Sequence, residues 1–128
     1  MTKKNIKKRK ILILDDEKDV TDFIEILLKM EDFDVKALNT SADLMKELLE
    51  NDYDLLIIDI MMPQFNGIQM TRLVKNDKKL KKMPIIVVTA LNDKKNRFVA
   101  EHSGADAFFV KPFSSDELVK EVKRLTGL

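Results

Sequence analysis

Apolar residues in this chain come mostly in uninterrupted runs, and that restricts its fold more than any other feature. ILIL occupies residues 11–14, LLIIDI 55–60, PIIVVTA 84–90 and AFFV 107–110. A strand that is apolar on successive residues is covered on both faces, the condition of a strand in a parallel sheet packed between helices. DVKAL at 34–38 alternates instead, as a strand nearer a sheet edge does.

Helical spacing fills the segments between. Val20, Phe23, Ile24, Leu27 and Met30 share a face by steps of three and four. Leu44, Met45, Leu48 and Leu49 do the same after a cap expected at Thr40 or Ser41, and Ile68, Leu73 and Val74 mark a third helix. From about Asp93 to Ser103 the pattern is weaker, with Phe98 and Val99 inward, His102 at the margin of that face, and Gly104 as a left-handed stop. The last helix opens on Ser114-Ser115-Asp116-Glu117, a capping-box pattern, and runs through Leu118, Val119, Val122 and Leu125. Strand then helix, five times over, predicts an α/β fold: a three-layer, doubly wound (βα)5 sandwich with a five-stranded parallel sheet. The 128 residues, 45% of them hydrophobic, suit one domain that buries about two thirds of its unfolded surface.

In such a sheet, ligands meet the carboxyl ends of the strands. The first strand ends at Asp15-Asp16, the third at Asp59, the fourth at Thr89-Ala90 and the fifth at Lys111-Pro112. Three carboxylates, a hydroxyl and an ammonium therefore converge on one edge. At an effective dielectric of about 20 and about 5 Å, each acidic pair costs roughly 3 kcal/mol. An oxygen-seeking divalent cation relieves that repulsion. Mg²⁺ suits the set, because it takes one or two carboxylates and welcomes water and phosphate oxygens. The chain has no cysteine and a single histidine, which argues against zinc. Lys111 supplies the opposite charge, and a phosphoryl group held between metal and ammonium completes the balance.

Taken singly, several of these residues have plainer readings. Asp15 and Asp16 can cap the first helix, and Glu17 or Asp19 can serve the same end. Thr89 can be one more β-branched strand residue, Lys111-Pro112 an ordinary turn, and Asn66-Gly67 a turn with no chemical role. Asp59 resists such a reading, because it interrupts a buried strand where an unpaired carboxylate is costly.

The motifs ILILDDE, LLIIDIMMPQFNG, IIVVTA and FFVKPF, in that order, give the chain its resemblance to a known family. From about Lys10 to Leu125 it resembles the receiver domains of two-component response regulators. That resemblance implies a flavodoxin-like fold with strand order 2-1-3-4-5. It further implies that Asp59 is the phosphoacceptor, attacking a phosphohistidine of a sensor histidine kinase or phosphotransfer protein. Asp16 and Asp59 would hold Mg²⁺ directly, Met61 would add its backbone carbonyl, and Asp15 would act through water. Lys111 would pair with Asp59 and then with the phosphoryl oxygens. Thr89 and Phe108 would form the switch, with Thr89 donating its hydroxyl, and Pro112 would follow a cis peptide. The expected output surface is that of the fourth helix, fifth strand and fifth helix. Such a protein phosphorylates itself and loses the phosphate slowly, which is short of conventional enzyme turnover.

Two positions add physical expectations. Phe108 lacks a hydroxyl, so burial alone favours its inward rotamer, by about 1–2 kcal/mol. Met61 and Leu91, each two residues beyond a site residue, should flank the phosphoryl group, and neither can hydrogen-bond an attacking water. Slow hydrolysis follows.

The first ten residues carry six of the 23 Lys and Arg and none of the 22 Asp and Glu, so the body is acidic in balance. Residues 1–9 read as a basic flexible tail and 10–128 as the receiver domain. Lys75, Lys78, Lys79, Lys81 and Lys82 read as a solvated helix end and loop. No apolar run reaches a membrane span and no signal peptide is present, which fits a cytoplasmic protein without membrane or direct nucleic-acid binding. Either a monomer or a phosphorylation-dependent dimer is compatible with the sequence. The rival from another class is a phosphorylation-independent interaction module on the same fold. An aspartyl hydrolase is disfavoured by the order Asp-Asp-Glu, and a nucleotide site by glycines at positions 67, 104 and 127 alone.

Overall fold

The computed structural model describes residues 8–62, 65–90 and 94–128. Five strands form one parallel sheet: β1 (Lys10–Leu14), β2 (Asp34–Leu38), β3 (Leu55–Ile58), β4 (Ile85–Thr89) and β5 (Ala107–Val110). Their spatial order is β2-β1-β3-β4-β5, the expected flavodoxin-like arrangement. Helices α1 (Lys18–Met30), α2 (Leu44–Glu50), α3 (Gly67–Asn76), α4 (Lys94–Glu101) and α5 (Ser115–Leu125) connect or close the strands. None of the described helices is long and apolar enough to cross a membrane.

The uninterrupted strands build two cores, because successive residues point to opposite faces. Leu12, Leu14, Leu56, Ile58, Ile85 and Val87 face Leu44, Leu48, Val74 and Ala100, from α2, α3 and α4. Ile11, Ile13, Leu55, Ile57, Ile86 and Val88 face Ile24 and Leu28 of α1 and Leu118 and Val122 of α5. Each fully buried aliphatic side chain contributes about 1.5–3 kcal/mol relative to exposure, so the sheet centre is the most strongly held part of the molecule. β2 alternates and lies at one edge, as predicted. β5 lies at the other edge and is only half-buried throughout, although its sequence reads like a central strand. Phe108 and Phe109 are both half-buried, one packed on each core.

The helical faces are narrower than the sequence pattern predicts. On α1, Thr21, Ile24 and Leu28 are the buried residues, while Phe23 and Met30 are 51% and 79% exposed. Val20 and Leu27 lie partly buried at the margin. Leu49 and Leu73 stand outward on α2 and α3. On α4, Ala100 fills the core position and Phe98 is exposed, stacked on His102 at 4.0 Å between ring centroids. Ala100 is small enough for α4 to lie close to the sheet, and that places the larger ring outside. The Val99 side chain, Leu91 and residues 1–7 of the basic tail lie outside what is described.

Caps and turns settle the remaining local structure. The Ser114 hydroxyl accepts the Glu117 N–H at 3.2 Å, as the capping box predicts. Gly104 has φ +106°, in the region that favours glycine. α2 begins later than predicted, with Asp43 rather than Thr40 or Ser41 at its N-cap. Asn66 is more than a turn residue: its side-chain oxygen accepts the Gln69 N–H at 3.0 Å and caps α3. Lys75 differs from its solvated neighbours, donating to the Met83 carbonyl at 2.9 Å and to Asp106 at 2.8 Å. Lys79 reaches the Leu49 carbonyl. Lys8 pairs with Asp32, and the Arg9 guanidinium donates to the Thr126 carbonyl at 2.8 Å.

Gly67 is required by close approach. A Cβ there would lie 2.6 Å from the Ile60 Cα and 2.6 Å from its Cγ2, and Ile60 directly follows Asp59. Backbone cannot yield as a flexible side chain can. Gly67→Ala is expected to cost about 1–3 kcal/mol of stability, read from the shift of the urea unfolding midpoint at unchanged slope.

Candidate functional site

Asp15, Asp59, Thr89 and Lys111 stand at, or one step beyond, a strand end, Asp16 and Met61 follow two and three residues past theirs, and Phe108 lies within β5. The Asp15 N–H donates to the Leu38 carbonyl at 3.2 Å, Asp59 N–H to Leu14 at 2.9 Å, and Lys111 N–H to Thr89 at 2.8 Å. Three functional backbones are thus pinned by the ladder that buries the apolar runs. Thr89 is the last residue of β4 and is fully buried. The Lys111–Pro112 peptide is cis.

The acidic side chains and the Lys111 ammonium come together at this edge. Asp15, Asp16, Glu17 and Asp59 each offer a carboxylate oxygen, and these oxygens all lie within 4.8 Å of one another. Asp15 and Asp59 are buried, at 2% and 3% exposure, whereas Asp16 and Glu17 are exposed. The Lys111 ammonium reaches Asp15 Oδ2 at 2.8 Å, Glu17 Oε1 at 3.1 Å and Asp59 Oδ2 at 3.3 Å. Burial alone would lower the Lys111 pKa. The bonds to Asp15 and Glu17 and the charge of Asp59 outweigh it and raise the pKa well above the usual lysine value. Lys111 therefore stays cationic, and one positive charge is shared among at least three negative ones.

Two site residues were not legible beforehand. Glu17 reads in sequence as a helix cap. It does occupy the N-cap of α1, but its side chain makes no capping bond and turns to Lys111 instead. The signal available was the third consecutive acid of the DDE run. Asn39, just past β2, donates to the Asp15 carbonyl at 2.8 Å and to the Thr21 hydroxyl at 3.0 Å, tying the acidic loop to the neighbouring strand. No spacing rule points to it, because the contact spans 24 residues. Met61, two residues after Asp59, opens a short antiparallel ribbon in which Met61–Met62 pairs with Phe65–Asn66. Phe108 packs against the core on the α2–α4 side, and the Arg97 guanidinium lies 5.4 Å from its ring centroid.

The donor set is all oxygen, clustered and partly buried. It suits a hard divalent cation and lacks the sulfur and nitrogen ligands of a zinc site. A parallel sheet in this order, with acids and a lysine gathered at its carboxyl edge, is the arrangement of the flavodoxin-like receiver fold. The response regulator receiver domain family model matches residues 11–123, and the chain belongs to that family. It is 34% identical over 117 residues to the transcriptional regulatory protein GltR of Pseudomonas aeruginosa, covering 91% of this chain and 48% of that protein. Over 116 residues it is 34% identical to the response regulator ArlR of Staphylococcus saprophyticus, covering 91% of this chain and 51% of that protein. The chain thus spans about half the length of these curated relatives. Among solved structures, the Francisella response regulator 1452 receiver domain matches with a TM-score of 0.84 at 30% identity, over 94% of this chain and 98% of that one.

Asp16 sits in this cluster exposed to solvent, and the ion pairs that Lys111 makes among the described residues go to Asp15, Glu17 and Asp59 instead. Neutralising it removes repulsion and sacrifices little. Asp16→Asn is expected to raise stability by up to about 1 kcal/mol in chelator-treated protein, measured by urea unfolding at low ionic strength.

Proposed function

We propose that this receiver is a phosphorylation-driven switch. It takes a phosphoryl group onto Asp59 from the phosphohistidine of a sensor histidine kinase or phosphotransfer protein. An Asp59 oxygen forms the new bond to phosphorus and the P–N bond breaks, with its electron pair returning to the imidazole. The observation that carries this reading is the Lys111 ammonium set between two buried carboxylates, Asp15 and Asp59, at the carboxyl edge of the sheet.

Phosphoryl transfer through a loose transition state asks for positioning and charge neutralisation more than for acid–base chemistry. Asp16, Asp59 and the Met61 carbonyl, with Asp15 through water, would hold Mg²⁺. When bound, that ion supplies positive charge to the phosphoryl oxygens and offsets the carboxylates. Asp59 lies at a fixed rung with its neighbours already placed, so little reorganisation precedes attack. Lys111 keeps its proton throughout and exchanges a carboxylate partner for a phosphoryl oxygen. Thr89 donates its hydroxyl to the phosphoryl group, and Phe108 follows by turning further into the core. Burial of its ring, with no hydroxyl to satisfy, already favours that packing. The surface of α4, β5 and α5 then changes for a downstream effector, as a shift between two packings. Residues 10–128 constitute the receiver, with the basic residues before them as an appendage.

Incubation with acetyl phosphate and Mg²⁺ tests the reading. The intact mass is expected to rise by one phosphoryl group, and Asp59→Asn to abolish the gain. Wild-type protein that stays unmodified while folded would favour a phosphorylation-independent module. Met61→Asn replaces a side chain that cannot hydrogen-bond an attacking water with one that can. The phosphoryl lifetime is expected to shorten severalfold in that variant, followed by the decay of the phosphorylated mass after donor removal.

A further inference from the structure

Lys111 has three N–H donors, and three carboxylates take them. Two of the acceptors, Asp15 and Asp59, are 3% exposed at the side chain and are fixed by the strand ladder. The third, Glu17, is 62% exposed and reaches in from the start of α1. Its own helix gains no side-chain cap from it. An N-cap residue that leaves its helix uncapped, and spends its carboxylate on a lysine 94 positions away, has its position set by the site.

We infer that Glu17 is a displaceable competitor for Lys111 and sets how fast Asp59 is charged. This rests on the phosphoacceptor role of Asp59 proposed above. An incoming phosphoryl oxygen needs a donor from Lys111, and all three are occupied. Asp15 is closest and buried, and Asp59 is the reacting group itself. Glu17 is the partner that can swing into solvent, so it is the one that yields. It also adds a negative charge on the open side of the site, where an anionic donor enters. Both effects slow charging, and both act through Lys111 and through charge rather than by contact with phosphorus. Glu17 is thus a positioning residue.

The test compares wild type with Glu17→Gln, which keeps shape and removes charge, at saturating Mg²⁺ with acetyl phosphate as donor. In this reaction an Asp59 oxygen forms the bond to phosphorus, the bond from phosphorus to the acetate oxygen breaks, and acetate leaves with the electron pair. E17Q is expected to be charged about three- to tenfold faster at low ionic strength, as removal of one partly solvated charge near a dianion implies. The gain is expected to shrink toward unity near 1 M salt, where the Debye length is about 3 Å. An effect of Glu17 on folding alone would not carry that salt dependence. Equal or slower charging of E17Q, or a gain that salt leaves unchanged, overturns the role of Glu17 alone. Wild-type protein that takes no phosphoryl group overturns it together with the proposal on which it rests.

Discussion

A lysine ammonium enclosed by carboxylates is the interaction on which the rest of this structure turns. Asp15 and Asp59 are both buried at the end of a sheet whose two cores are built from apolar side chains. Buried acids so close to one another are tolerable only with positive charge between them. Lys111 provides it from the far side of the fold, 96 residues from Asp15 and 52 from Asp59. That places a requirement on topology: β1, β3 and β5 must end at one edge with β4 between β3 and β5, and a parallel sheet in this order satisfies it. The apolar runs and the charged edge are therefore two halves of one constraint. The runs make the strands parallel and buried, and parallel strands deliver their following residues to the same rim.

Much of this was legible because it rests on period and order. Uninterrupted runs such as ILIL and IIVVT announce strands covered on both faces, and both are. Asp59 and Lys111 could be placed because each directly follows, or nearly follows, such a run. The Ser114 cap was legible because its partner is three residues away. What failed was the assignment of helix faces. Phe23, Met30, Leu73 and Phe98 match the apolar period yet stand in solvent. Small or polar residues beside them, Thr21, Thr71 and Ala100, occupy the positions against the sheet instead. A helix packed flat on a sheet buries a stripe narrower than its apolar pattern, and hydrophobicity alone does not say which edge of the pattern is inside.

Edge and long-range effects account for the rest. β5 has an interior strand's sequence but one neighbour, so its phenylalanines are shared between the two cores and partly open. Asn39 and Lys75 act through contacts 24 and 31 residues away, which no local rule encodes. Glu17 shows the limit of a correct local assignment. The residue is indeed the N-cap, but its carboxylate answers to a charge brought near by the fold.

The opposite end of the molecule is fastened differently. Asp106 accepts from Lys75 and from the Ile85 N–H through one carboxylate oxygen, while its own N–H donates to the Ile85 carbonyl. These bonds rivet the segment leaving α4 to the root of β4 and to the foot of α3. The chain leaving α4 is consequently fixed to the sheet within five residues of the helix end. Any rearrangement of α4 that starts at the carboxyl rim therefore has to be absorbed in the stretch between Glu101 and Asp106.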